Sequence, residues 1–157
     1  MIERPPSTLV GIGRRMSRVA DATPVLWRTF GPRIREIPNR TSTDRISMQV
    51  YAESDLQVLD PAEEFVKWAC VEVRAPAEVP DGMREYRLGG GLYAVFEHRG
   101  PATDLSTYRF IFGEWLGSSG FELDHREHFE VLPAGYDPFD PQATEDIWLP
   151  VRPGAAS

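Results

Sequence analysis

Cysteine is nearly absent: Cys70 is the only one in 157 residues. A lone thiol cannot close an internal disulfide, so nothing here calls for an oxidising compartment. Histidine is scarce too. His98, His125 and His128 are all there is. The last two stand three apart, but among charged and turn-forming neighbours and with no cysteine nearby, so neither a metal nor a cofactor is expected. No run of 18 apolar residues occurs, which argues against a membrane helix. The opening MIERPPST carries charge and proline where a secretory leader would be apolar. A cytoplasmic chain without a membrane partner is the expectation. Basic charge is in deficit: 17 Lys and Arg stand against 24 Asp and Glu, a net −7. Nucleic-acid binding calls for a basic stripe, and Arg14, Arg15 and Arg18 do not make one.

Aromatic residues are plentiful by contrast, with four Trp, five Tyr and eight Phe. They are enough to line a pocket or to fill a core. The length suits one domain, taken as 1–157. Two segments read as helices. The first opens at Asp21-Ala-Thr-Pro24, a capping residue and a proline suited to a first turn. It runs through Leu26, Trp27 and Phe30 toward Ile34, with Gly31-Pro32 as an early break. The second opens at Asp104. Leu105, Tyr108, Ile111, Phe112 and Trp115 fall at helical spacing along one apolar stripe, and Gly117 and Gly120 bracket its end. Alternation and β-branched or aromatic content give strands at 9–13, 46–51, 65–71, 83–88, 92–98, 129–132 and 147–151. Gly89-Gly90-Gly91 lacks a following Lys-Ser/Thr helix start, so it reads as a turn and not a phosphate loop.

These elements repeat. A strand at Leu9 is followed by Phe30-Gly31, and a strand at Leu92 by Phe112-Gly113. Met48-Gln49-Val50-Tyr51 matches Phe129-Glu130-Val131-Leu132, and Val66 follows Met48 by the interval at which Ile147 follows Phe129. The period is about eighty residues, too long for a solenoid repeat and suited to a duplicated half-domain. The fold class expected is α+β: two strand-helix-strand-strand halves, about 7–75 and 83–152, forming an antiparallel sheet with helices on one face. The other face, at the junction of the halves, is where a central ligand groove is expected.

The segments GLYAVFEHRGP (91–101), FGEWLGSSGF (112–121), HFEVL (128–132) and TEDIWLPV (144–151) occur in an order that resembles the GyrI-like small-molecule-binding domains. That family includes the effector-binding domains of bacterial multidrug-responsive transcription activators. LVGIGRRM and MQVY extend the resemblance more loosely into the first half. The resemblance implies a groove glutamate at Glu130 that meets cationic, often aromatic ligands. It also implies groove roles for Tyr51 and for Asp146 and Trp148, which stand in an acidic–aromatic–proline pattern with Pro150.

The physics of such a site is coherent. A buried carboxylate without a partner is costly, and a cation entering an apolar groove supplies its countercharge. Nearby rings add about 0.5–2 kcal/mol of cation–π attraction each. If Glu130 faces the groove, Phe129 and Val131 face the helices. Asp146 and Trp148 then share the groove face, with Ile147 and Leu149 in the core. Gln49 and Tyr51 face the groove, and Met48 and Val50 the core. Tyr93, Tyr108, Phe112 and Trp115 serve as further pocket walls or as core. Cys70 reads as a small buried hydrophobe.

Three functions follow as expectations. The first is a stand-alone binding protein for hydrophobic, cationic or aromatic small molecules, acting alone or with a separate transcription regulator. The second, implied by hydrolases among GyrI-like proteins, is the opening of cyclopropane-containing genotoxins by Glu130 with Tyr51 or Trp148. The third is a modulator that binds DNA gyrase.

Overall fold

The computed structural model describes residues 1–51 and 61–154. The chain runs β1 (Ile2–Arg4), β2 (Ser7–Met16), α1 (Thr23–Phe30), β3 (Arg45–Tyr51), β4 (Phe65–Val73), β5 (Arg84–Leu88) and β6 (Gly91–Arg99). It continues through α2 (Ser106–Phe110), α3 (Leu116–Ser118), β7 (Phe121–Leu123), β8 (His128–Leu132) and β9 (Thr144–Pro153). All strand pairs are antiparallel, in the order β1-β6-β9-β8-β3-β4-β2-β5, with β7 against β9.

The duplication is visible in this order. Strands β2, β4 and β3 of one half face β6, β9 and β8 of the other, and the halves meet where β3 pairs with β8. Met48 lies opposite Phe129 there, so the two segments matched in the sequence are hydrogen-bonded neighbours. Strands β1 and β7 were not anticipated. Each has three residues, too few to show a period of two.

The helices start and stop for local reasons. Asp21 Oδ1 accepts from the Thr23 amide at 2.9 Å and from its hydroxyl at 2.6 Å, holding the entry to α1. Gly31-Pro32 converts α1 into a 3-10 turn, Gly31–Glu36. In the second half Asp104 Oδ1 accepts from the Ser106 amide at 3.0 Å. A π-helical turn, Ile111–Trp115, joins α2 to α3 without interruption. Such wider turns are frequent at functional sites.

Both helices pack on one face of the sheet. Leu26 and Phe30 of α1, with Ile34, bury against Phe65, Ala69, Val71 and Val73 of β4. Ile111 buries against Ala94 of β6 and Ile147, Leu149 and Val151 of β9. The other face closes on itself. Pro5-Pro6 links β1 to β2, and Gly89-Gly90 links β5 to β6, so the chain twice passes between opposite ends of the strand order. The sheet must therefore curl. Gly90 marks where the ends meet: its φ is +79°, and a Cβ there would lie 2.3 Å from the Arg4 carbonyl oxygen. Inside the curl Leu9, Met48, Trp68, Cys70, Tyr93 and Phe129 form the aromatic-rich core.

This corrects the expected position of the groove. The bare face is not free for a ligand, because the curl fills it. The groove lies on the helix side instead, beside the second helix, with β3, β8 and β9 beneath. Phe129 and Val131 accordingly face away from the helices, and Glu130 faces toward them.

Replacing Gly90 with Ala tests the curl. Both the left-handed backbone and the Arg4 carbonyl oppose a side chain. A loss of about 2–3 kcal/mol, roughly 5–10 °C in Tm, is expected from thermal unfolding. An unchanged Tm would show that the ends do not meet as described.

Candidate functional site

The groove has a volume of about 630 Å³ and is lined mainly by apolar atoms. Tyr51 and Phe65 come from the first half, Tyr108 and Phe112 from the second helix, and Ile147 and Leu149 from β9. Arg18 and Arg109, both exposed, stand among its lining residues. In the wall lies Glu130, only 9% exposed.

Strand alternation explains why these side chains converge. Glu130 is opposite Ser47 of β3 and Ile147 of β9, and His128 is opposite Gln49. Gln49 in turn is opposite Lys67 of β4, and Tyr51 opposite Phe65. All project to the helix side, where the hydroxyl of Tyr108 comes down onto the carboxylate.

Glu130 is not the unpartnered acid that a simple reading of the strand suggests. The Tyr108 hydroxyl donates to its Oε1 in a short hydrogen bond. Gln49 Nε2 donates to the same oxygen at 3.2 Å and to Oε2 at 3.4 Å. Lys67 Nζ lies 4.0 Å from Oε2 and is 7% exposed. Charge-assisted hydrogen bonds of this kind contribute about 1.5–3 kcal/mol each and offset the cost of holding a carboxylate out of water. A second carboxylate is close. Glu145, on the same face of β9, is raised in pKa by burial and by the charge of Glu130, with the Tyr136 phenol and Lys67 acting the other way. Lys67 thus acts on both carboxylates, and among the described residues Glu130 is the one acidic side chain that lines the groove.

The phenols are held neutral. Burial, then the Glu130 charge and hydrogen bond, push Tyr108 well above its ordinary pKa. Burial also pushes Tyr51 up to about 12, against the Arg18 charge and with that of Glu130. Tyr108 thus remains a donor, as its contact with Glu130 requires. His128 is neutral as well: burial, aided by Arg126 and His125, lowers its pKa to about 4. Its ring meets Tyr51 edge-on at 5.2 Å.

The sequence candidates divide cleanly. Glu130, Tyr51, Tyr108 and Phe112 are brought together in the groove. Trp148 also borders the groove, but its indole is packed into the curl, stacked on Phe129 at 5.2 Å and 5.7 Å from Tyr93. The Arg4 guanidinium covers it at 5.1 Å. Asp146, one residue out of phase with Ile147, is exposed and away from the groove. Tyr93 is fully buried in the curl, donating its hydroxyl to the Glu127 carbonyl at 3.0 Å. Trp115 packs edge-on against Phe96 at 4.9 Å, as core. With the groove on the helix side, Ile147 and Leu149 project toward it and Asp146 away from it, while Trp148 borders the groove with its indole turned to the curl.

Lys67 and His128 were missed as site residues. Lys67 left a signal, since it is the chain's only lysine and stands inside the apolar strand FVKWACV. His128 shares the Glu130 face by simple alternation. Among the described residues no cluster of His, Cys, Asp and Glu could hold a metal ion. Cys70 is fully buried with its pKa raised by burial, as suits an inert thiol.

Residues 1–152 match the family described as the GyrI-like small-molecule-binding domain. The chain belongs to this family. It is 29% identical over 153 residues to the transcriptional regulator BrlR of Pseudomonas aeruginosa, covering 96% of this chain and 54% of that one. The domain thus spans about half the length of that relative. Among solved structures it is similar to the C-terminal domain of EcmrR, with a TM-score of 0.71 and 11% identity over 97% and 95% of the two chains. It is also similar to SAV2435 bound to tetraphenylphosphonium, with a TM-score of 0.62 and 15% identity over 96% and 92%. These neighbours share its curled α+β fold. No helix among the described residues of this GyrI-like domain is long and apolar enough to cross a membrane.

The low pKa of His128 has a consequence for stability. The unfolded chain takes up this proton near pH 6.5 and the folded chain only near 4. In between the unfolded state binds more protons, so stability is full above about pH 6.5 and falls as pH drops. Urea unfolding at pH 7.5 and 4.5 should show a loss on the order of 2–3 kcal/mol from this group. His128→Phe should lack that part of the loss; an identical loss in the variant would exonerate His128.

Proposed function

We propose that this GyrI-like domain binds hydrophobic cations, aromatic ones in particular, in the groove beside its second helix with Glu130 as the charged pole, and serves as an effector-sensing or sequestering unit. One observation carries the reading: a buried carboxylate stands beneath an apolar groove of about 630 Å³. The Tyr108 hydroxyl caps Glu130 in the free protein. An entering cation replaces that neutral donor with a full charge, which is the stronger partner where water is excluded. Tyr51, Phe65 and Phe112 supply ring faces and apolar surface that tolerate varied shapes. The exposed Arg18 and Arg109 sit nearer solvent, where screening weakens their opposition to an incoming cation.

Two relatives support the reading. SAV2435 is bound to tetraphenylphosphonium, a hydrophobic aromatic cation. BrlR is a transcriptional regulator. Association of this domain with a regulator follows as part of the proposal.

Calorimetric titration with tetraphenylphosphonium tests it. Glu130→Gln keeps the shape and removes the charge, and should weaken binding at least about thirtyfold. Asp146→Asn, on the far side of the strand, should leave affinity unchanged. Equal affinity of the wild type and Glu130→Gln would remove charge pairing from the account.

A further inference from the structure

Two acceptor-capable side-chain atoms in the groove wall have no hydrogen-bond partner among the described residues. They are the side-chain oxygen of Gln49, Oε1, and the ring nitrogen Nε2 of His128, both shielded from solvent. His128 is 8% exposed as a residue, and Gln49 and His128 both line the groove. They are direct cross-strand partners in the β3–β8 pair, and Glu130 follows His128 by two residues on the same face. Cross-strand neighbours have Cβ atoms about 4.5–5.5 Å apart, and same-face residues along a strand stand roughly 7 Å apart. Three groups are thus gathered within the span of one small polar head.

Their chemistry is of one kind. Gln49 is oriented by its own bonds: its Nε2 donates to Glu130 at 3.2 Å, and reversing the amide would set oxygen against carboxylate. Its Oε1 is therefore an acceptor, left unmatched. The carboxylate accepts only. A neutral imidazole carries one bare nitrogen, and a ligand N–H arriving at Nε2 selects the tautomer with its proton on Nδ1. An unmatched buried acceptor is costly, so two side by side in a binding groove are a standing demand for donors. A quaternary or phosphonium cation satisfies the charge of Glu130 but brings no N–H. A protonated amine, amidine or guanidine brings the charge and two or more N–H groups together.

Taking the cation-binding reading above as its basis, we infer that the groove selects cations bearing N–H donors over fully substituted ones, with Gln49 Oε1 and His128 Nε2 as the selecting acceptors beside Glu130. The device acts against the apolar trend. Each N-methyl group adds apolar surface and should by itself improve burial, so a preference for N–H over N–CH₃ has to come from polar contacts.

A matched pair of dyes separates these effects. Rhodamine 123 and the methyl ester of tetramethylrhodamine share one xanthene cation. The first ends in NH₂ groups and the second in N(CH₃)₂ groups. Fluorescence polarisation with the wild-type domain should give affinity about tenfold higher for rhodamine 123, the worth of one or two hydrogen bonds to acceptors already buried. His128→Phe and Gln49→Met, each checked for native near-ultraviolet circular dichroism, should bring the two affinities to within about twofold. Equal binding by the wild type, or tighter binding of the methylated dye, overturns the selectivity and leaves cation binding standing. Selectivity that persists in both variants overturns the assignment to these two residues. Should neither dye bind, the cation-binding reading falls, and this inference with it. If one variant does not fold, the other and the wild-type ratio still decide.

Discussion

The pairing of β3 with β8 is the constraint on which the rest depends. It joins the two halves, with Met48 opposite Phe129, and so fixes which side chains look each way. A slip of one residue would exchange the faces: Glu130 and His128 would enter the aromatic curl, and Phe129 would enter the groove. The register is held from behind by the curl, where Phe129 packs against Tyr93 and Trp148 and lies under Arg4. Large rings buried on one face thus position a carboxylate on the other.

The groove follows from how the two faces are covered. A half-barrel that closes on itself leaves one side for its helices, and each helix packs on the strands of its own half. The midline strands carry Gln49, Tyr51, His128 and Glu130. Polar side chains collect here because the packing of each half ends here. Glu130 then needs partners, and it finds them in both halves: Gln49 and Lys67 from the first, Tyr108 from the second. A carboxylate matched by donors that a cation can outcompete is a receptive site, whereas one matched bidentately by arginine would be a closed ion pair.

Much of this was legible in the sequence. The α+β class, the seven longer strands, both helices and the repeat follow from periodicity and from the spacing of Met48 to Phe129. Glu130, Tyr51, Tyr108 and Phe112 were named as site residues, and the structure gathers them. What was not legible is the curl, because it arises from the links Pro5-Pro6 and Gly89-Gly90 acting across the whole strand order. Alternation shows that Asp146 and Trp148 share a face. It does not show which face the helices take. That single unknown separates Asp146, which turns away from the groove, from Trp148, which borders it but stacks its indole on Phe129. It also hid the partners of Glu130, since Tyr108 reaches the carboxylate only if the helix and the groove lie on one side.

A crystal structure of the domain with tetraphenylphosphonium tests the central claim most directly. The account predicts the phosphorus in the groove beside the Glu130 carboxylate, with the Tyr108 hydroxyl withdrawn from Oε1. Density for the cation elsewhere on the domain, or in the groove with the Tyr108–Glu130 hydrogen bond intact and the carboxylate untouched, would contradict it.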